Sequence, residues 1–168
     1  GSIGLFVQTG GTHQIGDYPV AGKPGGSFDV SAALYVGKDS GGTYVGDYAP
    51  GGGTYRMVSG VLASPTEVIG FGGTGRFEHS GGFNVCGALE VGTSSNGKGT
   101  YLISGDAVLQ TNSLTIGRPQ VSPLWPPTGT FVQSGGEVNV RGTAQVLGPA
   151  DQGPLYTLAG SGRLSSKA

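Results

Sequence analysis

The feature that most constrains this chain is a short glycine-bounded motif that recurs along its length. The clearest copies are GTFVQSGG at 129–136 and GRFEHSGG at 75–82. Each copy places an aromatic residue ahead of a small residue and glycine. Successive aromatic residues are 49, 22, 24, 30 and 25 residues apart, which is typical of a solenoid with insertions. The six aromatic residues are Phe6, Tyr55, Phe77, Tyr101, Phe131 and Tyr156.

A second signature, Leu-x-Val-Gly, follows the first in most copies. In two looser copies Glu67 and Gln145 stand where leucine is expected, so we expect a β-bulge or a change of register in those copies. The first signature also varies, because its copy at 53–60 carries one extra residue. The copies of the second signature are residues 34–37, 67–70, 89–92, 114–117 and 145–148.

Each unit has the pattern of short strands separated by bends. The alternation of apolar and polar residues at 89–91 and 114–116 predicts strands with one buried face. Ser-Gly-Gly supplies a bend in which a positive φ angle costs little. A single unit cannot bury its apolar side alone, whereas stacked units bury it against one another.

Stacking predicts columns of equivalent residues, of which the six aromatic residues form the first. A second column holds Val36, Ile69, Val91, Ile116 and Leu147. A third holds Thr9, Ser59, Ser80, Ser104 and Ser134, whose hydroxyl groups are expected to hydrogen-bond near the bend. His79 falls in a column with Gln8, Ile103, Gln133 and Leu158, where we expect a stacked, hydrogen-bonded histidine rather than a ligand.

These patterns predict an all-β fold, a parallel β-helix (β-solenoid) of about five to six rungs. We expect a single domain over 1–168, with loop insertions near 12–33, 38–52 and 118–128. An antiparallel β-sandwich is the alternative, in which each Ser-Gly-Gly bend would be a hairpin turn. The presence of residue columns in register favours the parallel β-helix.

Composition excludes several other classes of protein. The chain has 36 glycines, and each glycine inside a helix costs about 1 kcal/mol relative to alanine, so a helical bundle is excluded. Nine Lys and Arg residues spread along the chain form no basic patch, so we expect no nucleic-acid partner. No apolar run is long enough for a membrane-spanning helix, so we expect no membrane insertion.

The two ends of the sequence are expected to be matching halves of one rung. The last copy stops after its first signature, and Gly1-Ser2-Ile3-Gly4 resembles the end of a second signature. One interpretation is head-to-tail assembly with other copies of this chain, which is a heterologous contact that makes filaments. The other is that the chain is a fragment of a longer surface repeat protein. The candidate interface residues are Gly1, Ser2, Ile3, Gly4, Tyr156, Leu158 and Leu164.

The sequence offers little for catalysis, and we expect a protein that is not an enzyme. No His or Cys pair has metal-ligand spacing, so no metal site and no cofactor is expected. Cys86 is expected to be a small buried thiol. Glu78 and Arg76 share a side of one rung and are expected to face solvent, and Glu90 and Arg141 are candidates to join them. A carbohydrate-active β-helix enzyme that cleaves polysaccharides with Glu78 is the remaining alternative.

Aromatic residues in the insertions form a possible binding loop. They are Tyr44, Tyr48 and Trp125, and the last lies among several prolines. Long insertions on a rigid scaffold are where binding sites commonly occur, and exposed aromatic rings stack on sugars. Surface glycans are therefore possible partners. The alternative is that these insertions fold back and cover the flank of the solenoid.

The segments GTFVQSGGEVNV (129–140) and LEVGTSSNGKGTYLISGDAVL (89–109) resemble repeats of bacterial secreted and surface proteins, the autotransporter-type and PEP-CTERM-type β-solenoid repeats. The resemblance covers most of the chain outside the insertions. It implies an extracellular location at the cell surface and a passenger, adhesin or fibre-forming role, with no catalytic residues to carry over. We therefore expect a structural protomer that assembles head-to-tail into a fibre or surface layer, with an adhesin or glycan-binding module as the alternative.

Overall fold

The computed structural model describes residues 3–15, 33–38, 44–45, 52–94, 97–118, 128–148 and 156–166. These residues form twelve strands in one continuous sheet, and every strand pairing is parallel. The strands are β1 (Ile3–Gln14), β2 (Ala33–Lys38), β3 (Tyr44–Val45), β4 (Gly52–Phe71), β5 (Thr74–His79), β6 (Phe83–Val91), β7 (Lys98–Ile103), β8 (Val108–Ile116), β9 (Thr128–Gln133), β10 (Glu137–Val146), β11 (Tyr156–Leu158) and β12 (Arg163–Ser166).

The longer strands turn corners, so the sheet winds into three faces. The first face stacks residues 3–8, 52–57, 74–79, 98–103, 128–133 and 156–158. The second face stacks residues 12–14, 61–64, 83–86, 108–111, 137–140 and 163–166. The third face stacks residues 44–45, 33–36, 66–69, 88–91, 113–116 and 143–146. We number the rungs 1 to 6 by their first-face strands, from β1 to β11.

The predicted parallel β-helix is confirmed, and the antiparallel sandwich is wrong. The predicted aromatic column is also confirmed, because all six aromatic residues pair in register along the first face. Neighbouring ring centroids lie 4.8, 4.8, 4.7, 5.0 and 5.3 Å apart. Each stacked pair contributes about 0.5–1.5 kcal/mol beyond the apolar area that it buries.

Glycine provides the corners between the faces, for two separate reasons. Gly82 follows the first face with a φ of 83°, a conformation that residues with a Cβ atom rarely adopt. Gly75 has no special φ, but a Cβ atom there would lie 2.0 Å from the Val36 carbonyl oxygen. The serine hydroxyls form hydrogen bonds at these bends, as predicted. Ser80 Oγ, for example, donates to the Met57 carbonyl oxygen over 3.3 Å.

Two irregularities were anticipated by the sequence and a third was not found. The extra residue of the 53–60 copy is a bulge at Val58, because Gln8 pairs with Met57 and Thr9 pairs with Ser59. The register of β10 against β8 shifts between Val140 and Thr143, as predicted for the last full copy. The predicted bulge or register change at Glu67 is wrong, since β4 pairs with β6 from Val61 to Ile69 without a shift.

The register also corrects the sequence alignment of the last copy. Val146, not Leu147, pairs with Ile116 and ends the second predicted column. Ala144, not Gln145, pairs with Leu114 and takes the leucine position. Leu147 takes the position of Gly117, so one further residue separates the third-face strand from Gly148, and a motif search that aligns on the glycine cannot detect this.

The first copy begins at a different point from the one predicted. Gly4 pairs with Gly53, so Ile3 and Gly4 open the aromatic strand rather than close a second signature. The prediction that the two ends are matching halves of one rung is therefore wrong in that form. β1 also continues through Gln14, past the predicted start of the first insertion at residue 12. Residues 16–32, 39–43, 46–51 and 119–127 of the insertions lie outside the described residues.

Candidate assembly interface

Among the described strands, the stack has two edges at which a strand is paired on one side only. The N-terminal edge consists of β1, which pairs only with β4, and of β3, which pairs only with β2 among the described strands. The C-terminal edge consists of β11, β12 and residues 143–146 of β10. An edge strand presents unpaired backbone N–H and C=O groups, and these accept another strand of the same kind.

Apolar side chains are exposed at both edges although their equivalents inside the stack are buried. At the N-terminal edge Phe6 is 38% exposed, whereas Tyr55 and Phe77 in the same column are fully buried. At the C-terminal edge Leu158 is 50% and Leu164 is 44% exposed. Covering these side chains with a further rung would remove apolar area from water.

The candidate interface residues predicted from the sequence fall on these edges where they are described. Ile3 and Gly4 lie in β1, Tyr156 and Leu158 lie in β11, and Leu164 lies in β12. Gly1 and Ser2 lie outside the described residues. The structure thus places the predicted terminal residues on two opposite ends of one stack.

The predicted binding loop is only partly described. Tyr44 opens β3 and pairs with Tyr35, so its backbone belongs to the sheet rather than to a free loop. Tyr48 and Trp125 lie outside the described residues. The prediction of glycan contacts through these aromatic residues stays a prediction.

The six rungs alternate between two types, which the sequence analysis did not detect. Rungs 1, 3 and 5 carry phenylalanine, followed two residues later by Gln8, His79 or Gln133. Rungs 2, 4 and 6 carry tyrosine, followed two residues later by an apolar residue. The signal was present in the sequence, but treating Phe and Tyr as one aromatic class concealed it.

Hydrogen bonds explain the alternation. Each tyrosine hydroxyl reaches back one rung to the polar side chain, at 2.7 Å for Tyr55 and Gln8, 3.1 Å for Tyr101 and His79, and 2.6 Å for Tyr156 and Gln133. The same polar side chain contacts the carbonyl oxygen three residues ahead, within the bend. Phenylalanine and tyrosine rungs therefore form two-rung units, each tied together by a polar side-chain bridge.

A carboxyl group that the sequence analysis did not place inside the stack is fully buried in the third face. Glu67 takes the leucine position between Leu34 and Leu89. Its carboxylate oxygens accept hydrogen bonds from Ser64 Oγ over 2.9 Å and Asn84 Nδ2 over 2.8 Å. Burial raises the pKa of Glu67 to about 7, an effect that these two hydrogen bonds oppose.

The Glu67 carboxyl is the start of a hydrogen-bonded chain through the interior. Asn84 Nδ2 also donates to the Tyr101 hydroxyl over 3.1 Å, and that hydroxyl contacts His79 Nδ1. His79 Nε2 lies 3.2 Å from the Gly82 carbonyl oxygen, which can only accept, so Nε2 carries the proton and Nδ1 accepts from Tyr101. Burial lowers the pKa of His79 to about 4. The stacked, hydrogen-bonded histidine predicted here is confirmed.

Other residues singled out by the sequence have separate environments. Arg76 Nε donates to Glu78 Oε1 over 2.6 Å on the exposed first face, beside a shallow cavity of about 240 Å³. Glu90 and Arg141 do not join them, since Glu90 accepts from Thr93 and Arg141 donates to Gln110. Cys86 is buried as predicted, and burial raises the pKa of its thiol.

The described residues contain no group of three or more His, Cys, Asp or Glu side chains that could hold a metal ion. The cavity beside Glu78 is lined by a single carboxylate, whereas glycoside hydrolysis commonly uses a pair. In the part of the chain that the structure describes, no helix is long and apolar enough to cross a membrane.

Comparisons of the chain with models of protein families, with curated proteins and with solved structures found no match. The resemblance to autotransporter-type and PEP-CTERM-type repeats therefore stays a prediction. The arrangement of the edges is the feature of this molecule from which a function can be argued.

Proposed function

We propose that the protein is a structural protomer that assembles end to end into an extracellular fibre or surface layer. The observation that carries the proposal is the pair of parallel edges. Each edge exposes apolar side chains at positions whose equivalents in the internal rungs are buried. A contact between two different edges of identical copies is heterologous, so it propagates instead of closing.

The interior supports a mechanical role. The described strands form one continuous backbone ladder along the stack, and the side-chain bridges of the two-rung units run in the same direction. A force along the axis is then shared by many hydrogen bonds in parallel strands. No feature of the described interior is arranged for chemistry on a substrate, because Glu67 and His79 are buried among structural partners.

The experiment is sedimentation velocity over a range of protein concentrations, together with negative-stain electron microscopy. We expect concentration-dependent polymers with the width of a single solenoid. Leu158→Asp places a charge on the exposed C-terminal edge and is expected to abolish them, because burying an unpaired charge in a joint is unfavourable.

The matched control is Thr100→Asp, which introduces the same charge in the middle of the first face, where the side chain is half-buried and its neighbours Arg76 and Thr130 belong to the same copy. This variant is expected to polymerise as the parent does. A parent protein that stays monomeric at all concentrations would contradict the proposal. Labelling of intact producing cells with antibodies against the protein tests its location at the surface.

A further inference from the structure

The three faces do not start and end at the same level. Each face contains six of the described strands, but by rung number these start one rung earlier and end one rung earlier in the third face than in the other two. Its outermost described strand at the N-terminal edge is β3, which lies beyond β2, the third-face strand of rung 1. Its outermost C-terminal strand is residues 143–146 of β10, which belongs to rung 5.

The stack therefore has a projecting strand at one edge and a recess at the other. At the N-terminal edge β3 projects as a tongue, and β2 behind it is well covered, with Leu34 1% and Val36 0% exposed. At the C-terminal edge β12 extends past the third face and leaves a notch above residues 143–146. Val146 at this edge is 54% exposed although it pairs with the fully buried Ile116.

We propose that the tongue of one copy fills the notch of the next copy. This inference rests on the proposed end-to-end assembly and specifies its joint. Val45 continues the column of Val36, and Val146 ends that same column at the opposite edge. In the joint β3 therefore pairs in parallel with residues 145–146 of the preceding copy, and each face runs on without a gap.

The aromatic column independently indicates the same partner and the same orientation. The C-terminal edge presents a tyrosine rung with Tyr156, and the N-terminal edge presents a phenylalanine rung with Phe6. Phenylalanine follows tyrosine at two boundaries inside the stack, where Tyr55 and Phe77 lie 4.8 Å apart and Tyr101 and Phe131 lie 5.0 Å apart. Placing Phe6 on Tyr156 of the preceding copy repeats this boundary.

A second copy in the same orientation is thus the occupant that fits both edges. Joining two N-terminal edges would place tongue against tongue and phenylalanine against phenylalanine, which no internal boundary does. The register of the joint sets Leu158 on Gln8 and Leu164 on His13, in continuation of their columns. Six rungs per copy give an axial repeat of about 29 Å, at about 4.8 Å per rung.

Disulfide cross-linking tests the register of the joint. In a Cys86→Ala background, Tyr44→Cys with Gln145→Cys places two cysteines at adjacent register positions, with Cα atoms about 4.8 Å apart, within the range that a disulfide spans. Tyr44 and Gln145 lie at opposite ends of one copy, so an oxidised product must link two copies. We expect a ladder of covalent multimers on a non-reducing gel.

The matched control is Tyr44→Cys with Thr143→Cys, which is displaced by two residues along the strand to about 8 Å and is expected to give no ladder. Val7→Cys with Thr157→Cys tests the same joint on the first face. Leu102→Cys with Val132→Cys is an internal pair, expected to oxidise within one copy, and it confirms that the chemistry works on this scaffold.

The possible outcomes distinguish a failure of the proposed joint from a failure of end-to-end assembly. One outcome is that Val7→Cys with Thr157→Cys cross-links the polymers. If Tyr44→Cys with Gln145→Cys then does not, the tongue and notch are overturned and end-to-end assembly is left intact. Covalent dimers from Val7→Cys alone would show that equal edges meet and would overturn the orientation. An absence of polymers would refute the proposed function itself.

Discussion

The Tyr101 hydroxyl donates a hydrogen bond to His79 Nδ1 over 3.1 Å, across the boundary between rungs 3 and 4. The equivalent bonds from Tyr55 to Gln8 and from Tyr156 to Gln133 cross alternate boundaries of the stack. The structural repeat of this solenoid is therefore two rungs, and the sequence motif that first revealed the fold is half of it.

Removing a buried Tyr–His or Tyr–Gln bridge should lower the free energy of unfolding more than removing a bridge at the exposed edge. Tyr101→Phe keeps the stacked ring but deprives His79 of its donor, and we expect a loss of about 1–3 kcal/mol in the free energy of unfolding. Tyr156→Phe removes the same bond at the partly exposed edge and is expected to cost less. Urea denaturation of both variants measures the difference, and equal losses would contradict the role of burial.

Two buried titratable groups should oppose each other in the pH dependence of stability. The pKa of Glu67 is raised from 4.5 to about 7, so its contribution is present at low pH and is lost as the pH rises through this interval. The pKa of His79 is lowered from 6.5 to about 4, so its contribution is present above pH 6.5 and is lost as the pH falls. At about 1.4 kcal/mol per pH unit, each change is about 3 kcal/mol, and the two nearly cancel.

Single substitutions should reveal the pH dependence that each of the two groups contributes. Glu67→Gln is expected to make the free energy of unfolding fall as the pH is lowered from 6.5 to 4. His79→Gln, which introduces the residue found at the equivalent positions 8 and 133, should make it fall as the pH is raised from 4.5 to 7. Denaturation profiles of Glu67→Gln and the parent that coincide would show that Glu67 is not buried.

The close approach of rungs at the corners should make one column of glycines intolerant of any side chain. A Cβ atom at Gly99 would lie 2.2 Å from the Ile69 carbonyl oxygen, so Gly99→Ala is expected to cost about 1–3 kcal/mol or more. Gly10→Ala is the control, because the nearest atom to its Cβ position is Ser59 Oγ at 4.0 Å. Thermal unfolding should show a clear decrease in midpoint for the first variant and almost none for the second.

The parallel stack and its aromatic column could be predicted because they depend only on a repeated local motif. Once residues such as Phe77 and Tyr101 are assigned to equivalent rungs, stacking follows from the need to bury apolar surface. The bulge at Val58 was predictable for the same reason, since one extra residue inside a repeat must leave the ladder.

The burial of Glu67 and the offset of the third face were harder to predict from the sequence. The burial of Glu67 depends on Asn84, which is 17 residues away and reaches it only because rungs 2 and 3 stack. β3 is a two-residue strand inside an insertion, where Tyr44-Val45-Gly46 repeats Tyr35-Val36-Gly37 with no aromatic signature between the two copies. The offset of the third face follows from β3 and from the lack of a third-face strand among the described residues of rung 6. The repeated Tyr-Val-Gly is a sequence signal for β3 that a search for complete two-part units passes over.

The axial repeat of the polymer tests the central claim most directly. Cryo-electron microscopy of the purified protein measures the helical rise per subunit. Six strands per face with no gap at the joint predict straight filaments, a rung spacing of about 4.8 Å and a rise of about 29 Å per copy. A protein that remains monomeric, or a filament whose rise is not six rung spacings, would contradict the account.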